Sequence, residues 1–219
     1  MRIDAATRQK APPLAERAYQ ILRDRLIMLD IPPGTPLSEA ALSAELGFGR
    51  TPLREALKRL ETDHLVITYP RRGTFATVVD ITDLAAISEV RLQLETFAAG
   101  RAARHLSPGA REQLEQAAET IEKLDGGKAA RELIEYDLEV HRLIYRAAGN
   151  HHLEESLIRL DNLATRIWCL VLDRLPPITE HITEHGPLLR AILAGEAESA
   201  ERLAGEHVLK FEATVRDAL

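Results

Sequence analysis

The 219-residue sequence has one cysteine, Cys169, so no disulfide bond can form within a single chain. This fits a reducing compartment, and we expect the protein to be cytoplasmic. Apolar runs are short, and the longest stretches, such as residues 167–172, cannot cross a bilayer. Residues 1–10 are charged and lack the apolar core of a signal peptide. Glycine and proline are not enriched either. From these absences we expect a globular protein with no membrane partner.

The charge is divided unevenly along the chain. The net charge is −6 overall, but residues 1–79 carry a net +3 and residues 80–219 carry a net −9. A mildly basic front half joined to an acidic back half suggests two different partners, one of them polyanionic. Acidic helical surfaces are common, so this division needs a sequence motif to support it.

The front part of the chain has three helical patterns followed by two β-rich runs. They are expected at residues 14–29, 38–46, 50–62, 65–69 and 74–78. The first helix must end at Pro32-Pro33-Gly34, and residues 70–73 form a hairpin with a basic tip. Three helices and a two-stranded wing make up a winged helix-turn-helix, which binds DNA.

The β signal vanishes after residue 80, and six helical patterns follow. They run over residues 82–105, 108–124, 129–148, 152–174, 178–194 and 196–217. Short connections between helices are typical of antiparallel bundles, which build ligand sites from side chains in their interior. We therefore predict a mainly α protein. A winged helix-turn-helix DNA-binding domain covers residues 1–79, and an all-α antiparallel bundle for effector binding and dimerisation covers residues 80–219.

The expected third helix carries the residues suited to reading DNA. A recognition helix presents its N-terminal turn to base edges, and here that region holds Arg50, Thr51 and Arg54. An arginine can pair bidentately with guanine, and a threonine can reach a phosphate or a thymine methyl group. Arg71 and Arg72 at the wing tip suit phosphates or a narrow minor groove. The alternative is an ordinary solvated helix with scattered charges.

The same region resembles the GntR family of bacterial regulators. The resemblance rests on residues 33–39, on residues 46–57 and on the wing Arg71-Arg72-Gly73, with aligned spacing over residues 14–78. It implies binding to double-stranded DNA. Gly49 departs from the Ser or Thr usual in similar proteins, which removes a hydroxyl that could bind phosphate. His64 stands where the family often has glycine, and is read either as a DNA contact or as a plain loop residue.

Residues 82–210 resemble the FCD effector domain of the FadR subfamily. The motifs are Glu89-Val90-Arg91 with Glu95, Asp137-x-x-x-His141 with Ala148-Gly149-Asn150, Glu184-His185 with Ala191-Ile192 and Gly195-Glu196, and Glu206-His207. The resemblance implies a sensor of small molecules.

One carboxylate and three histidines are expected to converge in the bundle. Asp137 and His141 lie four residues apart on one helix, so they share a face, which is otherwise apolar. His185 and His207 lie on two later helices, in register with apolar neighbours. Such a set suits a divalent ion such as Zn²⁺, Ni²⁺, Mn²⁺ or Fe²⁺. The resemblance implies that these four residues are the ligands, with positions left open for an organic acid.

Two arginines and one more histidine are candidates for the same pocket. Arg91 and Arg166 fall on helices where the family often directs polar side chains inward, and either can pair bidentately with a ligand carboxylate. A surface salt bridge is the alternative for each. His181 stands one turn before His185 and could assist it, although a surface position is favoured.

Three functions are compatible with these residues. The first is a repressor or activator that binds an organic acid at a divalent metal ion. The second keeps DNA binding but has an effector, an acid or an acyl chain, bound without metal. The third is a metalloenzyme fused to a DNA-binding module, which the absence of a paired nucleophile and general base argues against. We therefore expect a regulator and not an enzyme, acting as a homodimer on a palindromic operator.

Overall fold

The computed structural model describes residues 12–124 and 127–219 of the chain. It divides into two compact units, Met1–Val78 and Val79–Leu219, one residue before the expected boundary. The fold class is confirmed, since a winged helix-turn-helix precedes an all-helical unit. The expectation for residues 1–10 lies outside the described residues. No helix within the described ranges is both long and apolar enough to span a membrane.

The first unit combines three helices with a small antiparallel sheet. Its elements are α1 (Leu14–Ile27), β1 (Pro36–Leu37), α2 (Glu39–Leu46), α3 (Arg50–Thr62), β2 (Val66–Tyr69) and β3 (Gly73–Ala76). The strand order is β1-β3-β2, so the sheet has three strands where the sequence predicts two. The added strand has only two residues, too few for an alternating pattern to be seen. Fully buried leucines from α1 and α3, among them Leu22, Leu26, Leu53 and Leu60, form the core.

Local capping interactions set the turn between α2 and α3. Ser38 caps α2, because its Oγ accepts a hydrogen bond from the backbone N–H of Ala41 at 3.3 Å. Gly47 ends α2 in the left-handed region at φ 69°, where glycine has no steric penalty. Gly49 is the N-cap of α3 and has no side chain to satisfy the first N–H groups. Arg50 and Thr51 therefore form the open first turn of α3.

The C-terminus of α3 explains the position of His64. The N–H of Leu65 donates to the carbonyl of Leu60 at 2.9 Å, and the N–H of His64 donates to Glu61 at 3.1 Å. This is the Schellman arrangement, which requires a left-handed residue after the helix end. His64 has φ 60° and fills that place. A glycine is favoured there for conformational reasons, independently of any contact with DNA.

The second unit contains seven α-helices within the described residues. They are α4 (Leu84–Arg104), α5 (Pro108–Glu122), α6 (Ala130–Ala147), α7 (His151–Leu170), α8 (Ile178–Thr183), α9 (His185–Ala194) and α10 (Ala197–Asp217). Short 3-10 helices, Ile81–Asp83 and Leu172–Arg174, precede α4 and follow α7. Leu114, Ile134, Leu157, Leu189 and Ile192 are among the side chains buried in the core.

The predicted helix over residues 178–194 is broken in two, and proline is the physical reason. Pro187 has no N–H, and its ring would clash with the carbonyl of the residue four positions earlier in a continuous helix. That residue is Thr183, where α8 ends, and α9 begins at His185. The break ends α8 after six residues and starts α9 at a histidine.

Close packing of α4 against α10 fixes two walls of the interior. A Cβ on Gly205 would lie 3.2 Å from Cγ2 of Thr96, and a Cβ on Gly100 would collide with the carboxylate of Glu201. Both helices also carry small buried side chains, including Ala98, Ala99, Ala102, Ala200 and Ala204. The pairing brings α10, which carries His207, close to α4, which carries Arg91 and Glu95.

Candidate functional site

The predicted DNA-reading residues of α3 are exposed at its N-terminal end. Arg50 and Thr51 lie in the first turn and are exposed. Arg54 is also exposed, and its Nε donates to Oε2 of Glu39 on α2 at 2.7 Å. The two helices of the motif are thus joined by an exposed ion pair.

Arg71 and Arg72 are placed at the wing tip by a tight turn between β2 and β3. The N–H of Arg72 donates to the carbonyl of Tyr69 at 3.0 Å, with Pro70 and Arg71 as the central residues. Arg71 has φ 61°, the conformation that the third residue of a type II turn requires. The guanidinium of Arg72 lies 5.8 Å from the ring centroid of Tyr69. Both arginines remain exposed to solvent.

Three predicted histidines of the second unit meet in its interior. His141 is on α6, His185 begins α9 and His207 is on α10. The Nε2 atom of His141 lies 3.2 Å from Nε2 of His185 and 3.4 Å from Nε2 of His207. All three side chains are buried. We call this group the histidine cluster.

The hydrogen bonds of the Nδ1 atoms determine where the Nε2 lone pairs of His185 and His207 point. Nδ1 of His185 lies 3.2 Å from the carbonyl oxygen of Ile182, and Nδ1 of His207 lies 3.1 Å from Oε2 of Glu184. A carbonyl and a carboxylate only accept hydrogen bonds, so both histidines carry their hydrogen on Nδ1. Their Nε2 lone pairs then face His141.

Hydrogen bonding inside the cluster cannot satisfy all three inner nitrogens. Nδ1 of His141 lies 3.0 Å from the hydroxyl oxygen of Tyr145, which can donate or accept. If His141 carries its hydrogen on Nε2, it can donate to Nε2 of His185 or to Nε2 of His207. The other of these two nitrogens is then left without a hydrogen bond inside the cluster. A bound cation would satisfy all three lone pairs at once.

Geometry and charge state both fit a divalent metal ion. Two nitrogens at about 2.1 Å from one ion lie roughly 3.0–3.4 Å apart, as the Nε2 atoms do here. Burial lowers the pKa values of His141, His185 and His207 well below the ordinary value, which favours the neutral form that coordinates metals. Outer partners that fix the tautomer are the usual second layer of such sites.

The fourth predicted ligand, Asp137, lies at the edge of the histidine cluster. Its Oδ2 is 3.9 Å from Nε2 of His141, and its Oδ1 is 3.7 Å from Nδ1 of His185. Among the described residues, Oδ1 is a buried oxygen with no hydrogen-bond partner. Burial and the nearby Asp161 raise the pKa of Asp137 well above its ordinary value. A cation at the histidine cluster would compensate the negative charge of the buried Asp137 carboxylate.

His181 is also part of the site, and the favoured surface position was wrong. The side chain is 8% exposed, and its ring lies 4.3 Å from that of His207, centroid to centroid. Its Nε2 is 3.8 Å from Oδ2 of Asp137. Ligand atoms of Asp137, His141 and His181 lie within 4.8 Å of one another, as do those of His181, Glu184 and His207. The one feature of the sequence that could have indicated its burial was its spacing of one helical turn from His185.

Arg91 and Arg166 are both buried, so the alternative of surface salt bridges was wrong. Arg91 donates from Nε to Oε1 of Glu95 at 2.7 Å, and its Nη2 lies 3.5 Å from Oδ1 of Asp161. Sequence reasoning missed Asp161, because an acidic residue on a helix carries no signal of its partner. Burial raises the pKa of Asp161 to about 7, and Arg91 opposes the shift.

A cavity of about 80 Å³ adjoins the histidine cluster. It is lined by Trp168, Pro176, Pro177, Glu180, His181, Glu184, Lys210 and Thr214. Lys210 supplies a positive charge to its wall and forms an ion pair with Glu184. Neither Arg91 nor Arg166 is among the lining residues.

These two units define a class of protein, a winged helix-turn-helix module joined to an all-helical unit. Residues 14–76 match the bacterial regulatory proteins of the gntR family, and residues 86–210 match the FCD domain. The chain belongs to the GntR family and carries an FCD domain, as its motifs predict. It is a DNA-binding transcription regulator and not an enzyme.

The relatives agree with this assignment. The chain is 26% identical over 204 residues to the HTH-type transcriptional repressor RspR of Escherichia coli K12, covering 93% of this chain and 90% of that protein. It is also 26% identical over 205 residues to the regulator YdfH of Escherichia coli O6:H1, covering 94% and 90%. The solved structure of Escherichia coli McbR/YncC has the same fold, with a TM-score of 0.81 at 22% identity and coverage of 94% and 98%.

Proposed function

We propose that a small organic acid controls the operator affinity of this regulator, and that the acid binds at a divalent metal ion in the second unit. The observation that carries the proposal is the convergence of three buried Nε2 atoms whose lone pairs cannot all be satisfied within the histidine cluster. A cluster of this kind is unfavourable in a neutral apolar core unless a cation occupies it.

In this proposal His141, His185, His207 and Asp137 hold the ion. The donor set of imidazole nitrogens and one carboxylate suits Zn²⁺, Ni²⁺, Mn²⁺ or Fe²⁺. A divalent ion supplies the positive charge that attracts the carboxylate of the effector.

Arg91 and Arg166 are the arginines proposed to bind the effector. Arg91 is already shared between Glu95 and Asp161, so an acid that pairs with it has to displace one of these carboxylates. The cavity next to the histidine cluster offers a second source of positive charge in Lys210. Glu180 and Glu184 also line this cavity, so the positive charge that favours an anion over an acyl chain there comes from the proposed metal ion.

The proposed DNA contacts divide between base reading and backbone binding. Arg50, Thr51 and Arg54 read base edges, and Arg71 and Arg72 contact phosphates or the minor groove. Two copies of the chain are proposed to bind an inverted repeat, because one winged helix contacts too few bases for useful specificity. The relative RspR is a transcriptional repressor, which favours repression over activation.

Metal content measured on the intact protein tests the proposal. Native mass spectrometry of the purified protein should show one divalent ion per chain, and His141→Ala should lose it. His152→Ala is the matched control, because His152 is exposed at the start of α7 and should leave the metal content unchanged. Equal metal content in the two variants would reject the histidine cluster as the metal site and leave metal-independent effector binding.

A further inference from the structure

His181 is distinguished from the other buried histidines by its contact with the cavity. It lines the cavity of about 80 Å³, whereas His141, His185 and His207 are not among the lining residues. Its ring also packs against Trp168, with centroids 5.0 Å apart, and on His207. His181 therefore stands between the histidine cluster and the space that a ligand can enter.

The imidazole of His181 is close to the other donors without being tied to them. Its Nε2 lies 3.8 Å from Oδ2 of Asp137, and its Nδ1 lies 4.0 Å from Oε2 of Glu184. Both distances exceed those of a hydrogen bond. A donor group that lies within reach of the site and makes no hydrogen bond to either carboxylate can bind and leave.

The element that carries His181 is suited to small movements. The helix α8 has only six residues and follows Pro176-Pro177. It is separated from α9 by the break that Pro187 imposes. A shift of α8 consequently does not require a long helix to bend or lose internal hydrogen bonds.

We propose that His181 is a further, exchangeable donor of the metal site. It occupies the cavity-facing position, and a small carboxylate anion that enters the cavity takes its place. Displacement of His181 moves α8 and so gives the second unit two arrangements, one with the anion and one without it. This inference rests on the proposed metal-dependent function and names a regulatory residue within it.

The exchange predicts opposite effects on the two ligands. Without the imidazole the anion no longer has to compete for its position, so the affinity for the anion should rise, on the order of tenfold. The affinity for the metal should fall by a similar factor, because one donor is lost. A purely structural role would lower both affinities or neither.

The test uses the full-length protein loaded with Co²⁺, with succinate and acetate as probes. Visible absorption of Co²⁺ reports its donor set, and calorimetry gives the affinity for each anion. His181→Ala and His181→Gln should each shift the spectrum without any anion present and bind succinate about tenfold more tightly. The glutamine variant preserves bulk against Trp168, which guards against a packing defect. His152→Ala should match the unmodified protein.

The outcomes separate this inference from the proposal on which it rests. If the unmodified protein binds one Co²⁺ and the His181 variants have an unchanged spectrum, His181 is not a donor, while the proposed function survives. If they bind succinate more weakly, His181 is an anion-binding group and the exchange is rejected. If the unmodified protein binds no Co²⁺, both the proposed function and the exchange are wrong.

Discussion

Nδ1 of His207 lies 3.1 Å from Oε2 of Glu184, so a candidate metal ligand is oriented by a carboxylate that also lines the cavity. Glu184 pairs in turn with Lys210 on the same wall. Glu184 thereby links Lys210 in the cavity wall to His207 in the histidine cluster.

Glu184→Gln should weaken metal binding about tenfold, and Glu184→Ala by up to about 100-fold. The amide preserves an acceptor for His207 but removes the negative charge, whereas alanine removes both. Competition with a chromophoric chelator measures the affinity. Glu119→Gln, which changes an exposed carboxylate on α5, is the control and should have no effect. Equal affinities in all three variants would show that Glu184 does not orient His207.

The metal-free protein should lose stability as the pH falls from about 6.5 to 5. Burial lowers the pKa values of His141, His181, His185 and His207, so below the unfolded value the unfolded chain binds more protons and is favoured. Asp137 and Asp161 oppose this, because their folded pKa values are raised and they bind protons in the folded state.

The four histidines outnumber the two carboxyl groups, so the unfolded chain takes up more protons than the folded protein and stability should fall with the pH. Urea unfolding of metal-free protein at several pH values measures the slope. His141→Gln removes one buried imidazole and should make the slope of stability against pH shallower. Stability that rises as the pH falls through this window would contradict the burial of neutral imidazoles.

His64→Gly should stabilise the first unit by about 1 kcal/mol. His64 adopts a left-handed conformation that costs a residue with a Cβ on the order of 1–2 kcal/mol, partly offset by the greater freedom of glycine in the unfolded chain. Thermal or urea unfolding measures the gain. His64→Ala retains the Cβ and should bring no gain, so equal stabilisation by both substitutions would exclude backbone strain as the cause.

Arg50→Ala and Arg54→Ala should each cost on the order of 1–3 kcal/mol on the operator and relax sequence preference. Arg72→Ala should weaken binding to all sequences alike and reduce the salt dependence. Binding to operator and to scrambled DNA at several salt concentrations separates the two effects. Uniform losses in all three variants would mean that α3 does not read bases.

The sequence predicts features that depend on residues close together in the chain. It misses features that depend on contacts between residues far apart in the chain. Ser38 as a cap, Gly47 as a helix end and the pairing of Asp137 with His141 on one face all follow from spacing of a few residues. The strand β1 is visible only through its partner β3. The burial of His181 depends on how α8 packs within the second unit.

The contact between Glu184 and His207 joins residues 23 positions apart and depends on how α10 packs. Asp161 likewise becomes notable only because α7 brings it to Arg91 on α4. Spacing places Asp137 and His141 on one face, and the family resemblance implies His185 and His207 as further ligands, whereas the residues that orient and surround them come from helix packing.

Release of operator DNA by organic acids, measured with metal-free and metal-reloaded protein, tests the central claim most directly. A panel of small mono-, di- and hydroxycarboxylic acids is titrated into the protein–operator complex, and fluorescence anisotropy follows release. The account predicts that at least one acid changes operator affinity with metal present, that chelation abolishes the response while helical content remains, and that reloading restores it. An undiminished response in demonstrably metal-free protein would contradict it.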